Sequence, residues 1–479
     1  MRNLVFPYTI VLKEKTSSIG GFLQMETQPD ARKIVLKQMA KKCVNHLRQA
    51  QFSGKKKARH VILIGVEGLF ADQFHKLMTF PAFQKLKNEG AYSHALTTTY
   101  PTVSYPVLTS LVTGMYPNQH GIIHNHPFQP GIQDKQKIWY NYRSEIKRNT
   151  IYDWTQAHYL KTASLNWPVS GNSSITYNIP EITALKGENH HLKLLRASSK
   201  PFLLAQEIQY TSIEKKITEC MKDSFYIQVA LRTFARKRPH LLMLRLNALK
   251  KLQKKYGVHC SDQDYALQMY NDMLEKMIEL AKKAKIFSDT VFIFVSVNGQ
   301  VDVHTHVYLN NILEREDLIT NRGTYIDYQA CFQSTGNGAY LYVKNHNLKI
   351  EKHVREILEE LKEAEIYGVK EIYTRNHLKK LHADLGIAMA VEGSPGFRFI
   401  DDFYEEDIVK LQKPDATSGY NPLQPEHKNI LLMYGEAIQP SINLGDVKLV
   451  DIAPTIANIL GLEHVVSDGR ILEEALKMS

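Results

Sequence analysis

The sequence predicts a doubly wound α/β domain, a mostly parallel sheet with helices on both faces. Three observations lead there. Four runs, at 60–68 (HVILIGVEG), 240–248 (HLLMLRLNA), 290–299 (TVFIFVSVNG) and 429–435 (NILLMYG), are short and almost continuously hydrophobic. Such runs are the mark of strands buried on both faces. Helical patterns lie between them, as at 264–285 and 352–364. The chain has 479 residues, 43% hydrophobic and 23% charged, enough to bury a large core without disulfides or metals as staples.

Taken in order, the first element is a basic extension, residues 1–59. Residues 1–60 hold 13 Lys+Arg against 3 Asp+Glu, and the remainder holds 47 against 46. The formal charge of +11 therefore belongs almost entirely to the extension, and nucleic-acid binding by the neutral body is not expected. Within it, Val35, Leu36, Met39, Cys43 and Leu47 recur at helical spacing among lysines and arginines. That pattern predicts an amphipathic helix over 31–50, suited to an anionic membrane surface, a nucleic acid or a protein partner, or else docked on the body. The apolar run at 4–12 contains Pro7, stops at Lys13 and lacks a cleavage site, and no segment reaches the ~18–20 apolar residues of a membrane span. Cys43, Cys220, Cys260 and Cys331 lie far apart with no CxxC pair, which suits a reducing compartment. A cytoplasmic location is the resulting expectation.

The body, 60–479, has its chemistry expected at the carboxyl ends of the strands. A stretch of different texture, about 340–415, runs from GAYLYV through a charged helical segment and IAMAVEG, and predicts a small insertion subdomain. Neither a P-loop nor a GxGxxG follows a strand, so nucleotide binding by those devices has no support.

Residues 100–122 read YPTVSYPVLTSLVTGMYPNQHGI. With HVILIGVEGLFADQF upstream and SLNWPVS, TGNGAYLYV, HADLGIAMAVEGSPGFRF and KLVDIAPTIANILGL downstream, the chain after residue 60 resembles the nucleotide pyrophosphatase/phosphodiesterase family of the alkaline phosphatase superfamily. The resemblance implies an alkaline-phosphatase-like fold and hydrolysis of phosphodiesters and pyrophosphates. It also implies two zinc ions ~4 Å apart across a Thr or Ser nucleophile, one activating the hydroxyl and the other holding phosphoryl oxygens.

Carried over position by position, the resemblance puts the nucleophile at Ser104, whose other role is to N-cap a helix starting near Pro106. The family's phosphate-binding asparagine becomes Val107. The first-strand aspartate ligand becomes Glu67. In NALKKLQKKYG, an aspartate and a histidine ligand become Lys250 and Lys254. An adjacent Asp-His pair becomes Val297 and Asn298, and a final histidine becomes Ser418. Zinc requires imidazole, carboxylate or thiolate, and ammonium groups repel it. The expectation is a catalytically degenerate family member, a binding or scaffold module and pseudoenzyme without the two-zinc mechanism; the alternative is a residual or repurposed phosphohydrolase using Ser104.

Lys250 and Lys254 are candidates to bind an anion, as in a phosphate-bearing small molecule. Alternatively one of them pairs with Glu67, or both point outward. A relocated metal site could draw on Asp302, His304 and His306, which alternate in VDVHTHVYL and so share a face of an extended segment. Surface histidines are the ordinary outcome there. His190-His191 reads as loop, and His120, His124 and His126 as packing and hydrogen bonding in a turn.

Overall fold

All four apolar runs are strands. The computed structural model of the chain describes residues 56–132, 136–210, 219–322, 326–384 and 386–477. The helix expected over 31–50 lies outside the described residues. In chain order, the main sheet contains β1 (His60–Glu67), β2 (Ala91–Thr97), β3 (Thr162–Trp167), β4 (Tyr177–Pro180), β5 (Leu241–Leu246) and β6 (Thr290–Asn298). Every residue of β1, β5 and β6 is buried, as the unbroken hydrophobic runs require. β1 lies at the centre, parallel to β5 on one side and β6 on the other, and β3 and β4 continue the parallel order beyond β5.

A second block of strands follows. β7 (Val301–Val307) leads to a short hairpin, β8 (Ile319–Asn321) and β9 (Ile326–Tyr328). β10 (Ala330–Ser334), β11 (Gly338–Val343), β12 (Val369–Thr374) and β13 (Met389–Gly393) form an antiparallel sheet in the order β10-β11-β13-β12. β14 (Gly396–Phe399) and β15 (Ile408–Thr417) flank β7. The stretch at 340–415 thus runs through both small sheets. The last apolar run, β16 (Asn429–Tyr434), returns to the main sheet but pairs antiparallel with β6 and β2. Burial on both faces fixed its place in the sheet and left its direction open.

Four helices position the site. α1 (Ser104–Thr113) is buried along its whole length and ends at Gly114, whose φ of +66° supplies the left-handed C-cap. α2 (Glu219–Lys237) packs against β3 and β5. α3 (Ala248–Tyr256) follows β5 directly, and α4 (Asp262–Lys283) lies beside α2 and α3. The even residues of β1, Ile62, Ile64 and Val66, join the core with Phe234, Leu249, Tyr270 and Leu274 from these helices. On the opposite face Gly65 leaves room for Leu108 and Trp167, each about 3.4 Å from where a β-carbon would stand. Among the described residues, no helix is long and apolar enough to cross a membrane.

Candidate functional site

The carboxyl ends of β1, β5 and β6 bring the chemistry together. β1 ends on Glu67, where the pairing with β6 shifts register, and its carboxylate is fully buried. Burying a lone carboxylate is prohibitive, so charge partners are required. Arg245, which pairs in register with Gly65 across the β1–β5 ladder, supplies one. Its Nε donates to Glu67 Oε1 at 2.5 Å, and its Nη1 donates to Glu181 just beyond β4. Lys250 supplies the other, its Nζ donating to Glu67 Oε2 at 2.8 Å.

Ser104 closes the arrangement. Its hydroxyl donates to Glu67 Oε2 at 2.5 Å and accepts from Lys250 Nζ at 2.7 Å. The helix begins at Ser104 itself, two residues earlier than expected, with Val103 at the N-cap position. Ser104 is therefore not the cap, and its side chain is free for this contact.

Lys250 reaches Glu67 because α3 packs hard on the end of β1. Gly68 has φ +93°, and a β-carbon there would come within 2.7 Å of the Lys250 backbone nitrogen. Only glycine permits both the turn and the approach. Gln253 Nε2 donates to the Gly68 carbonyl at 2.8 Å and pins the helix from its next turn. The cap of α3 comes from elsewhere. Asn247 makes no side-chain capping bond, and buried Asp223 of α2 accepts from the Asn247 and Ala248 amides at 3.3 and 2.9 Å and from the Tyr270 hydroxyl at 2.7 Å. Burial pushes the Asp223 carboxyl up to about 6 in spite of those donors.

Two carboxylates, Glu67 and Glu181, face two cations, Arg245 and Lys250, so the cluster is neutral overall. Burial alone would raise the Glu67 carboxyl, but the adjacent Arg245 and Lys250 charges outweigh it and hold it well below the usual range.

The residues at the expected zinc positions do not fit the metal. Val297 and Asn298 are fully buried at the end of β6, and neither amide atom of Asn298 has a hydrogen-bond partner. Ser418 is buried near β15, and Val107 is inside α1. The cationic Nζ of Lys250 stands beside the one carboxylate that remains. Among the described residues, no group of three His, Cys, Asp or Glu side chains could hold a metal. Asp302, His304 and His306 do alternate along β7, but each has its own partner: Asp302 accepts from the Val258 amide, His304 meets Thr305, and His306 meets Asp415 at 3.0 Å. His120 is buried against Ser110, and burial pushes it down to about 3. His124 bonds the Ser334 carbonyl and His126 the Gln333 amide, while His190 opens a helix rather than lying in a loop.

Above this network is a cleft of about 400 Å³ lined by Ser104, Arg245, Lys250 and Lys254, with Tyr105 and Trp139 on one wall. Lys250 is three-quarters or more covered, with its side chain 20% exposed, whereas Lys254 is exposed at the rim one turn further along α3. The structure thus separates the two candidate lysines: one is committed inside, the other faces outward. Arg245 and Glu181 carry half of the network and were not anticipated. The available signal was a single charge inside the unbroken apolar run LLMLRL, which demands a buried counter-charge.

The family model described as type I phosphodiesterase/nucleotide pyrophosphatase matches residues 61–421. Ectonucleotide pyrophosphatase/phosphodiesterase family member 1 of Homo sapiens is 26% identical over 262 residues, 53% of this chain and 25% of the relative. Ectonucleotide pyrophosphatase/phosphodiesterase 1 of Saccharomyces cerevisiae is 23% identical over 239 residues, 47% of this chain and 30% of the relative. The matches thus span only about a quarter to a third of these relatives' length. Among solved structures, murine ectonucleotide pyrophosphatase/phosphodiesterase 5, as an inactive variant in complex with AMP, shares the fold with a TM-score of 0.63 at 14% identity, covering 88% of this chain and 100% of that one. The human counterpart gives 0.62 at 16% identity, with the same coverage.

Proposed function

The chain belongs to the type I phosphodiesterase/nucleotide pyrophosphatase family, and from that premise we propose that it is a catalytically silent member, a binding or scaffold module without the two-zinc mechanism. One observation carries the reading: Lys250 Nζ lies 2.7 Å from Ser104 Oγ and 2.8 Å from Glu67 Oε2, so an ammonium bridges the nucleophile position and the first acidic position. Residues that fill a catalytic centre with a neutral, mutually satisfied network remove both the metal's charge and its ligands.

The experiment is metal analysis of the purified full chain beside a chromogenic phosphodiester assay. Zinc well below one equivalent and turnover no higher than in Ser104→Ala are expected. Stoichiometric zinc with turnover lost in Ser104→Ala would sink the proposal. The same hydrogen bonds favour a second reading, a metal-free serine nucleophile, and a fluorophosphonate probe separates the two: covalent labelling of Ser104 supports the nucleophile, and its absence supports the silent module.

The basic extension is the proposed partner-binding element, its charge excess suiting an anionic membrane surface or an acidic protein face. Deleting residues 1–55 is expected to abolish binding to vesicles containing phosphatidylserine while the unfolding temperature of the body stays unchanged. Vesicle binding that survives the deletion removes the extension from that role.

A further inference from the structure

The cleft opens at the carboxyl ends of the strands, and the opposite edge of the same sheet carries a different chemistry. β3, β5, β1 and β6 run parallel, so their first residues share one edge. Hydrogen bonds join these ends into one surface. The His240 amide donates to the Lys161 carbonyl at 2.8 Å, the Val61 amide to the His240 carbonyl at 2.8 Å, and the Arg59 amide to the Asp289 carbonyl at 2.9 Å. α2 ends shortly before β5 begins and α4 shortly before β6, so their closing turns reach the same edge.

Those turns are basic. Arg236 and Lys237 close α2, and Lys282 and Lys283 close α4, a placement that the helix dipole favours. Lys161, Arg236, Arg238 and Lys285 are exposed, and among the described residues none of the four is ion-paired with a carboxylate. The carboxylates nearby are already engaged. Asp289 meets Arg59 at 3.5 Å, Glu279 meets Lys283 at 3.7 Å, and Glu89, toward β16, meets Lys85 at 3.5 Å. Glu463 beside His158 and Glu436 beside Tyr434 stand at the border. The stacked His60 and His240 rings, 5.9 Å apart, register the surplus. Burial, and then the Lys56, His60 and Lys161 charges, push His240 down to about 4. The near-neutral total of the body thus hides a one-sided distribution.

We propose that this amino-terminal edge docks the body on an anionic membrane surface. Charge complementarity carries the assignment. Lipid headgroups offer a plane of anions, and the cations lie across four strands, roughly 14 Å wide at ~4.8 Å per strand. Tyr159, 62% exposed and two residues before Lys161, adds an amphipathic ring of the kind that settles at headgroup level. The chain enters β1 here, so the basic extension is joined covalently to this edge. With the edge on the membrane, the cleft at the far ends of the strands faces solvent. This face goes beyond the role proposed for residues 1–55 and stands or falls separately from it.

Co-sedimentation of the full chain with phosphatidylcholine vesicles, with and without phosphatidylserine, tests the face. Binding that requires phosphatidylserine and falls with added salt is expected. Lys161→Gln/Arg238→Gln/Lys285→Gln is expected to weaken it about a hundredfold, at about fivefold for each cation near the surface. All three side chains are exposed, so this variant is expected to keep its unfolding temperature. The control, Lys349→Gln/Lys352→Gln/Arg355→Gln, removes as much charge from the exposed side of the helix at Leu348–Glu363, packed on β10 and β12. Its binding is expected to change by no more than about twofold. Equal losses in the two triple variants would reduce the effect to net charge and overturn the proposal. Unchanged binding in the edge variant, or no binding of the full chain to anionic vesicles, overturns it too. An edge variant that releases a single-stranded oligonucleotide but not vesicles assigns the edge to nucleic acid instead. Binding lost on deleting residues 1–55 yet unchanged in the edge variant leaves the extension as the contact and removes the edge.

Discussion

Arg245→Met is expected to lower the unfolding free energy by about 3–5 kcal/mol, the range for removing one partner of a buried ion pair. Arg245 is 4% exposed and holds two carboxylates, Glu67 at 2.5 Å and Glu181. Without the guanidinium, fully buried Glu67 keeps only Lys250 and Ser104, and Glu181 loses its partner. Methionine fills much of the vacated volume, so the loss reports charge and not a cavity. Urea unfolding monitored by circular dichroism reads the effect as a shift in midpoint with little change in slope. The Glu67→Gln/Arg245→Met double variant is expected to recover part of the loss, since the stranded charge is gone. A change under about 1 kcal/mol for Arg245→Met would mean that the network is wetter and weaker than its geometry implies.

The second large effect is a pH dependence with a defined sign. The Glu67 carboxyl lies well below its ordinary value of 4.5 in the folded chain, because the Arg245 and Lys250 charges overcome the opposing effect of burial. A depressed carboxyl stabilises the fold above its unfolded-state value, and that stability is lost as pH falls toward the folded value. The stability difference between the native chain and Glu67→Gln is therefore expected to be flat from about pH 8 to 5.5 and to shrink steadily below about pH 4.5. Asp223 acts in the opposite sense: raised to about 6, it weakens the fold as pH rises from about 4 to 6. Taking the difference between the two proteins cancels Asp223, which both contain. A difference that grows toward acid pH would mean that Glu67 is protonated in the native chain.

The strands were legible because the apolar runs are too short for buried helices, and length is what arbitrates between the two. The expected helix at 264–285 is α4, at Asp262–Lys283, offset by one turn or less at each end. What the runs could not reveal was direction, as the antiparallel β16 shows. At the site, the family resemblance, carried over position by position, located Ser104, Glu67 and Lys250, while pairing between Lys250 and Glu67 stood as one of several outcomes. The structure selects it because Gly68 lets α3 close on β1, a three-dimensional fact that residue types alone do not encode. Lys254 follows one turn later and stands exposed at the rim of the cleft.

The bridge made by Lys250 has a further consequence, in mass action. A captured divalent ion stabilises its host by an amount that rises with the logarithm of free ion concentration. Such a fold weakens under chelation and varies with metal supply. Here the cation is attached through the backbone of α3, so its occupancy is set by covalent connectivity and not by a dissociation constant. The cation beside Glu67 is thus supplied by the chain itself, and this ion pair needs no ion captured from solution.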